Sequence, residues 1–358
     1  MALNKITSAD ITDMKNAVSN VTIAQASTSQ GEYPEWQNPY WSQWLGYYKA
    51  VPELKSTVDN KAMWSVGKGY KADAATKEQL GRIKGIGKDT FNTLLHNAVK
   101  VYTIGGDFFG EIIQGDRTGK LLNLKPLSPD SIKILANRKG IISRYEQRTS
   151  DGDIEHKFKP ENIFHLSWNR TSDEIHGQST VEAIESTILS FNEAYADMKT
   201  IFHRYVKPLI ISVVDTDDTG EIEAYKAKLD NAVKNGENLV VPKDTLDHME
   251  RMSIPQYSTL DPLPWIQQLQ RRFVIAEGVP EIIMGHGVST TEATAKILYL
   301  AFQQVIEFNQ NFIEEQVKAQ LNLDIKLEFP ASLEPAMQAD VSKERNMNNM
   351  QMKHDAKK

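Results

Sequence analysis

The chain has 358 residues and no cysteine. This excludes disulfides, thiolate zinc sites and thiol chemistry, and it suits a reducing compartment. Long apolar runs are missing as well: none approaches the ~20 residues that span a bilayer, so no membrane association is expected. The opening stretch, MALNKITSADITDMK, lacks an apolar h-region, so no secretory signal is expected. Nor is there an excess of positive charge. Lys and Arg number 41 against 47 Asp and Glu, a net charge of −6. Proteins that grip nucleic acid tightly are usually basic. Any DNA contact here is expected to be local or non-adhesive.

Catalytic signatures are absent too. The eight histidines form no HxxH or HxxxH pair on a helix. No Gly-x-Ser-x-Gly elbow occurs. Asp215-Thr-Asp-Asp-Thr-Gly220 begins like a calcium loop, but its twelfth position falls on Lys226 rather than glutamate. Leu80-Gly-Arg-Ile-Lys-Gly-Ile-Gly-Lys88 is not a P-loop. Arg82 stands where its first glycine belongs, and Lys88 is followed by Asp89. No enzyme, metal or cofactor is expected.

What is present is a globular composition, 40% hydrophobic and 25% charged, long enough for two or three structural regions. Its organising stretch is Ser179 to Val206. Val181, Ile184, Ile188, Phe191, Tyr195, Met198, Phe202 and Tyr205 recur every three or four residues, the stripe of a helix that packs lengthwise on a neighbour. Ser179 and Glu182 form a capping-box signature, and Pro208 ends the run. At ~1.5 Å per residue the rod is about 40 Å long, well beyond the mean helix of about 11–12 residues.

Before the rod, residues 1–30 read as a polar arm with a short helix around Ile11 to Val18. Residues 33–48 hold four Tyr and three Trp. They read either as a loop capping the core or as a subunit contact. A helix is expected over 50–66 with Val51, Leu54, Val58 and Met63 inward, and a second helical region over 76–104. Period-two patterns then predict short antiparallel strands at Phe108–Gln114, Leu121–Lys125, Ser131–Leu135, Ile141–Gln147 and Ile154–Phe158.

After Pro208 the pattern gives a strand (Leu209–Val214), a helix (Glu221–Val233) and two strands (Asn238–Val241 and Asp247–Ile254). This is a small α/β insertion. Leu263–Glu277 is the return helix, with Ile266, Leu269, Phe273 and Ala276 in the same rhythm, expected to run antiparallel beside the rod. A second capping box, Ser289 with Glu292, starts a third long helix to about Leu321 with Ala301, Val305, Phe308 and Phe312 as its stripe. Leu323–Phe329 alternates as a last strand. The tail from Pro330 is polar and expected to be loose.

The order of these pieces resembles a tailed-bacteriophage portal protein. Five stretches carry the likeness: Gly105-Gly-Asp-Phe-Phe-Gly-Glu-Ile-Ile, Leu124-Lys-Pro-Leu-Ser-Pro-Asp-Ser-Ile, Phe158-Lys-Pro-Glu-Asn-Ile-Phe-His-Leu, His176-Gly-Gln-Ser179, and Ile275-Ala-Glu-Gly-Val-Pro-Glu-Ile-Ile-Met-Gly285. Two depart from the family pattern. His176 stands where tyrosine is common, and Glu277 where the family phrase has an aromatic.

The resemblance implies an α+β portal fold with long stem helices, an antiparallel β-containing wing and a small α/β clip. The implied regions are a wing over 1–176, a first stem helix over 177–207, a clip over 208–261 and a second stem helix over 262–281. A tunnel loop over 282–292, a long wing helix and last strand over 293–329, and a short tail over 330–358 with a reduced or absent crown follow. It further implies a homo-oligomeric ring, commonly of twelve subunits, at one capsid vertex of the virion, assembled in the host cytoplasm. Implied partners are a terminase large subunit, the major capsid protein, a head-tail connector or adaptor protein, and double-stranded DNA passing without sequence specificity.

On that reading Gly285, His286, Gly287, Val288, Ser289 and Thr290 form the tunnel loop. Lys199, His203, Arg204, Lys207, Arg271 and Arg272 face the channel or a neighbouring subunit, unless they only line a solvated helix face. Asp215, Asp217, Asp218, Glu221, Asp244, Asp247 and Arg251 mark clip docking. Two other classes remain open. One is a helix-hairpin-helix DNA-binding protein, whose Gly85-Ile-Gly87 turn would offer backbone N–H groups to phosphate. The other is a non-phage ring-forming structural protein.

Overall fold

The computed structural model describes residues 34–115, 119–206, 209–213, 217–235, 248–252, 263–285 and 291–330. The helix expected around Ile11 to Val18, the strand Asn238–Val241 and the tail beyond residue 330 lie outside the described residues. The described chain forms two compact units. One runs to Glu185 and resumes at Arg272; the other is Ser186–Arg271.

The first unit opens with β1 (Glu35–Gln37), α1 (Trp41–Ala50) and α2 (Pro52–Val66). The aromatic cluster is therefore a strand and a helix, not a loop. Trp41 and Trp44, three apart, turn into the core. Helix α2 has Pro at its first position, where the missing N–H costs nothing. It buries Val51, Leu54 and Val58 as expected, but Met63 is 57% exposed, and Ala62 and Val66 are buried in its stead. The expected second helical region divides into α3 (Ala74–Gly81) and α4 (Phe91–Gly105), after β2 (Tyr70–Lys71). Asp73 caps α3 by accepting from the N–H groups of Ala75 and Thr76.

The β region follows as β3 (Asp107–Gln114), β4 (Leu121–Leu127), β5 (Ile132–Ala136), β6 (Ile142–Arg148), β7 (Ile154–Phe158) and β8 (Ile163–Ser167). It makes two antiparallel sheets, in the orders β4-β3-β8 and β1-β5-β6-β7. Strand β3 is buried on both faces. Phe108 packs into a core with Leu95, Tyr102, Leu124, Phe164 and Val317. Its neighbour Phe109 packs the other way, with Ile132, Ile134, Tyr145 and Ile163. Successive side chains on a strand point to opposite faces, so one strand feeds two cores.

The rod is α5 (Thr180–Val206). In the second unit follow β9 (Leu209–Val213), α6 (Thr219–Asn235) and β10 (His248–Met252), with β9 and β10 antiparallel and Arg251 opposite Ile210. Helix α7 (Leu263–Glu277) buries Ile266, Leu269 and Phe273. It ends in a Schellman motif. Val279 N–H donates to the Val274 carbonyl at 3.2 Å and Gly278 N–H to that of Ile275 at 3.3 Å, with Gly278 at φ 66°. Val279 then seals a small core with Phe302 and Ile306.

Helix α8 (Glu292–Leu321) corrects two expectations. Its cap is Thr291, whose hydroxyl accepts from Thr294 N–H, whereas Ser289 lies outside the described residues. Its buried stripe is Phe302, Ile306, Asn309, Gln310, Ile313 and Val317. Of the expected stripe, Ala301, Val305 (38%) and Phe308 (65%) are exposed, whereas Phe312 packs against the main core beside Tyr102 and Trp168. The last strand shrinks to β11 (Lys326–Leu327), paired with β2, although Leu323, Ile325 and Leu327 are all buried. No described helix is long and apolar enough to cross a membrane.

The glutamate that stands in place of an aromatic has a structural reason. Glu277 is 2% exposed, and its Oε2 lies 3.1 Å from the Nζ of Lys61, itself 4% exposed and over the Trp168 ring. A buried ion pair adds little net stability, but removing one partner leaves a bare buried charge. Glu277→Ala is expected to cost about 3–5 kcal/mol in denaturant unfolding. The double change Lys61→Met with Glu277→Phe should recover most of that loss.

Candidate functional site

The rod is held where three distant stretches meet. Asp107, the first residue of β3, is 0% exposed. Its Oδ1 accepts from His165 Nε2 at 2.8 Å, Ser167 Oγ at 3.1 Å and the Gly177 N–H at 2.8 Å. The Tyr145 hydroxyl lies 3.0 Å from His165 Nδ1. Burial, with Asp107 adding to it, pushes the Tyr145 hydroxyl well above its usual range, so it keeps its proton. Nε2–H of His165 donates to the Asp107 carboxylate. Gln320 of α8 clasps the backbone of His165, accepting from its N–H at 2.8 Å and donating to its carbonyl at 2.7 Å.

Two glycines make the approach possible. Gly106 lies at φ 85°, and a Cβ on it would overlap the Gly177 carbonyl; a Cβ on Gly177 would overlap the carbonyls of Gly106 and Trp168. Trp168 N–H donates to Gly106 and Gln178 N–H to Trp168, each at 2.8 Å. Ser179 completes the anchor. Its hydroxyl donates to the Ile104 carbonyl and accepts from the N–H groups of Val181 at 3.0 Å and Glu182 at 3.2 Å. The serine half of the capping box thus forms. Among the described residues the Glu182 carboxylate accepts no hydrogen bond.

Asp107, His165 and Gly177 to Ser179 come from three of the five stretches that carried the resemblance. Sequence reading missed Asp107 as a hub. Its only signal was that it follows two glycines and begins an apolar strand.

The residues nominated from sequence are placed less completely. Gly285 ends a turn at φ 87° with open space around it, while His286, Gly287, Val288, Ser289 and Thr290 lie outside the described residues. Lys199 is exposed on α5; His203 and Arg204 fall in its last turn; Lys207 lies outside the described residues. Arg271 and Arg272 are exposed on α7. Asp218 caps α6, its Oδ1 accepting from Gly220 N–H at 2.8 Å, with Asp217 and Glu221 exposed beside it. Arg251 is on β10, and Asp215, Asp244 and Asp247 lie outside the described residues. Among the described residues no group of side chains could hold a metal ion.

The Gly85-Ile-Gly87 turn has a different use from phosphate binding. Asn123 Oδ1 accepts from the N–H groups of Lys84 and Gly85, both at 2.9 Å. Asp89 accepts from Ile86 N–H at 3.1 Å, and the Lys84 carbonyl from Gly87 and Asp89. The donors that a helix-hairpin-helix would offer to DNA are taken by the protein itself.

The expected cost of disturbing the anchor is large. Gly177→Ala or Gly106→Ala should lower stability by at least ~2 kcal/mol, since backbone must move to admit the methyl group. Gly46→Ala in α1, where a Cβ meets nothing within 4 Å, should be neutral or slightly stabilising. Chemical denaturation of the three variants checks this.

No protein-family model matches the sequence, and no curated protein matches it. Solved structures do. A chain in the neck of the native gene transfer agent particle, computed with C12 symmetry, matches with a TM-score of 0.68 at 16% identity, covering 92% of this chain and 94% of that one. A chain in the virion of the native gene transfer agent particle matches at 0.65 and 16% identity, covering 93% and 94%. An HK97-family phage portal protein from Corynebacterium diphtheriae matches at 0.52 and 11% identity, covering 83% of this chain and 96% of that one. Helices and antiparallel sheets in this order, matched over nearly the whole of each chain, are the fold of a phage portal protein.

Proposed function

We propose that this chain is a portal protein: a ring of identical subunits at one vertex of a capsid, through which DNA enters during packaging and leaves at ejection. The observation that carries this reading is the fate of the apolar stripes on the long helices. On α5, Val181, Ile184, Ile188 and Phe191 are buried, but the same stripe continues into Tyr195 and Phe202, 63% and 67% exposed. Helix α7 exposes Trp265 and Ile275, and α8 exposes Ile297, Val305 and Phe308. Scattered apolar residues on a surface are normal; stripes at helical spacing mark surfaces that meet another protein. Structural neighbours from a neck computed with C12 symmetry support a closed ring of copies.

On this reading the regions are the wing, stem and clip that the resemblance implies. The terminase motor and later the connector dock at the clip, near Asp217, Asp218, Glu221 and Arg251. Cations of the stem, Lys199, Arg204, Arg271 and Arg272 among them, face the bore or a neighbour. A net-acidic ring suits a channel, because each neutralised phosphate adds affinity and so drag.

Two outcomes test the proposal. Purified protein is expected to form rings without DNA, visible by negative-stain microscopy and mass photometry. Val305→Glu with Phe308→Glu should shift it to single chains with an unchanged far-ultraviolet circular dichroism spectrum. A wild-type chain that stays monomeric at high concentration overturns the ring. Deleting Gly285 to Val288 should leave rings intact but reduce packaged or retained DNA. Normal packaging by that variant removes the tunnel-loop role.

A further inference from the structure

Among the described residues, no large apolar side chain is more exposed than Ile86, at 79%. It stands on a turn that is held rigid. Asn123 accepts from the N–H groups of Lys84 and Gly85 and donates to the Gly85 carbonyl at 3.0 Å. Asp89 Oδ2 accepts from Ile86 N–H, and a Cβ on Gly85, at φ 54°, would overlap that carboxylate. Ile83, 1% exposed, anchors the start of the turn in the main core. Exposed apolar surface of this kind is a source of binding energy, and a turn already fixed gives up little freedom on docking. Lys84 and Lys88 are exposed on either side of the tip, and neither pairs with a carboxylate among the described residues.

The same unit holds a hollow of complementary character. A cavity of about 530 Å³ lies between β1 and the start of α5. Pro39, the half-exposed Tyr40 and Ala183 give it apolar wall, and Glu174 and Glu182 give it negative charge. Tip and hollow cannot meet within one chain. The hollow touches Gly105 and Gly177, beside Asp107 at the start of β3. The turn is tied to Asn123, which pairs with Ile113 near the end of that strand. From 107 to 113 the strand advances about 20 Å, at ~3.3 Å per residue.

We propose that the Ile86 turn of one copy seats in this hollow on the next copy around the ring, with Lys84 and Lys88 beside Glu174 and Glu182. An apolar tip with a basic collar matches an apolar hollow with acidic wall in both shape and charge. The stems of the two lysines can lie along the wall while their ammonium groups reach the carboxylates. Two unlike surfaces joined head to tail are the kind of contact that closes a cyclic ring. The contact rests on the ring reading given above and assigns one part of its interface.

The chain has no cysteine, so engineered pairs report the contact in the full-length protein. Ile86→Cys with Ala183→Cys, mildly oxidised, is expected to link neighbouring subunits into a ladder of covalent oligomers that reductant collapses. Either change alone, or Met63→Cys with Ala183→Cys, should link about tenfold more slowly, because a disulfide needs the two positions in close register. Lys84→Glu with Lys88→Glu should raise the concentration needed for rings about tenfold or more, with an unchanged circular dichroism spectrum. Adding Glu174→Lys with Glu182→Lys should reverse most of that loss. Rings that form without the cross-link, or equally well with both lysines changed to glutamate, overturn the contact and leave the ring reading standing. A link formed within one chain overturns the placement on a neighbour. Wild-type protein that forms no rings overturns both.

Discussion

A single buried carboxyl oxygen joins β3, β8 and the backbone just ahead of α5. Asp107 Oδ1 receives donors from β8, twice, and from the backbone just ahead of α5. Burying such a group without donors is costly, so the three stretches have to meet at one point. Their meeting also fixes the register of β3 against β8, where Phe109 faces His165. The ring of His165 stacks on Phe109 at 4.7 Å, so the polar hub is seated inside the apolar core it organises. Once Gly177 is fixed against Gly106, Ser179 sits at the end of α4, where its hydroxyl donates to the Ile104 carbonyl and caps the first turn of α5.

That mechanical frame gives the portal reading its sense. A helix whose first turns are buried and whose later turns carry exposed aromatics on the same stripe is finished inside one chain at one end only. The same holds for α8, which is apolar on two faces. One face covers Trp64 and Ser65 of α2; the other presents Val305 and Phe308 outward. On the proposed ring reading, elements of this kind are completed by a neighbouring copy.

Most of the β region was legible from short apolar stretches set off by clear turn residues, although β3, buried on both faces, carries apolar doublets rather than alternation. The two longest helices were legible from their three-four rhythm. The phase of α8 was not. Its inward face includes Asn309 and Gln310, which sequence reading assigns to solvent, yet both are buried by hydrogen bonds to Ser65. Asn309 also accepts from the Tyr102 hydroxyl. The exposed Val305 and Phe308 share their rhythm with the packed Phe312, so the apolar spacing alone did not mark the inward face. Residues 33–48 misled for another reason. Their aromatic content suggests a core-capping loop or a subunit contact, but they form a short strand and the start of a helix. The hub at Asp107 could not be read at all, since its partners lie 58 to 70 residues away.

The pair of Lys61 and Glu277 bears on how such a chain diverges. Lys61 and Glu277, 216 positions apart in the sequence, share one enclosed charge couple, and removing either member alone leaves a bare buried charge. A lineage can cross between this arrangement and an apolar one only by changing both positions nearly together. Each form is thus a separate basin in sequence space. The identity of the residue at 277 is therefore tied to that at 61, and the end of α7 is read correctly only together with α2.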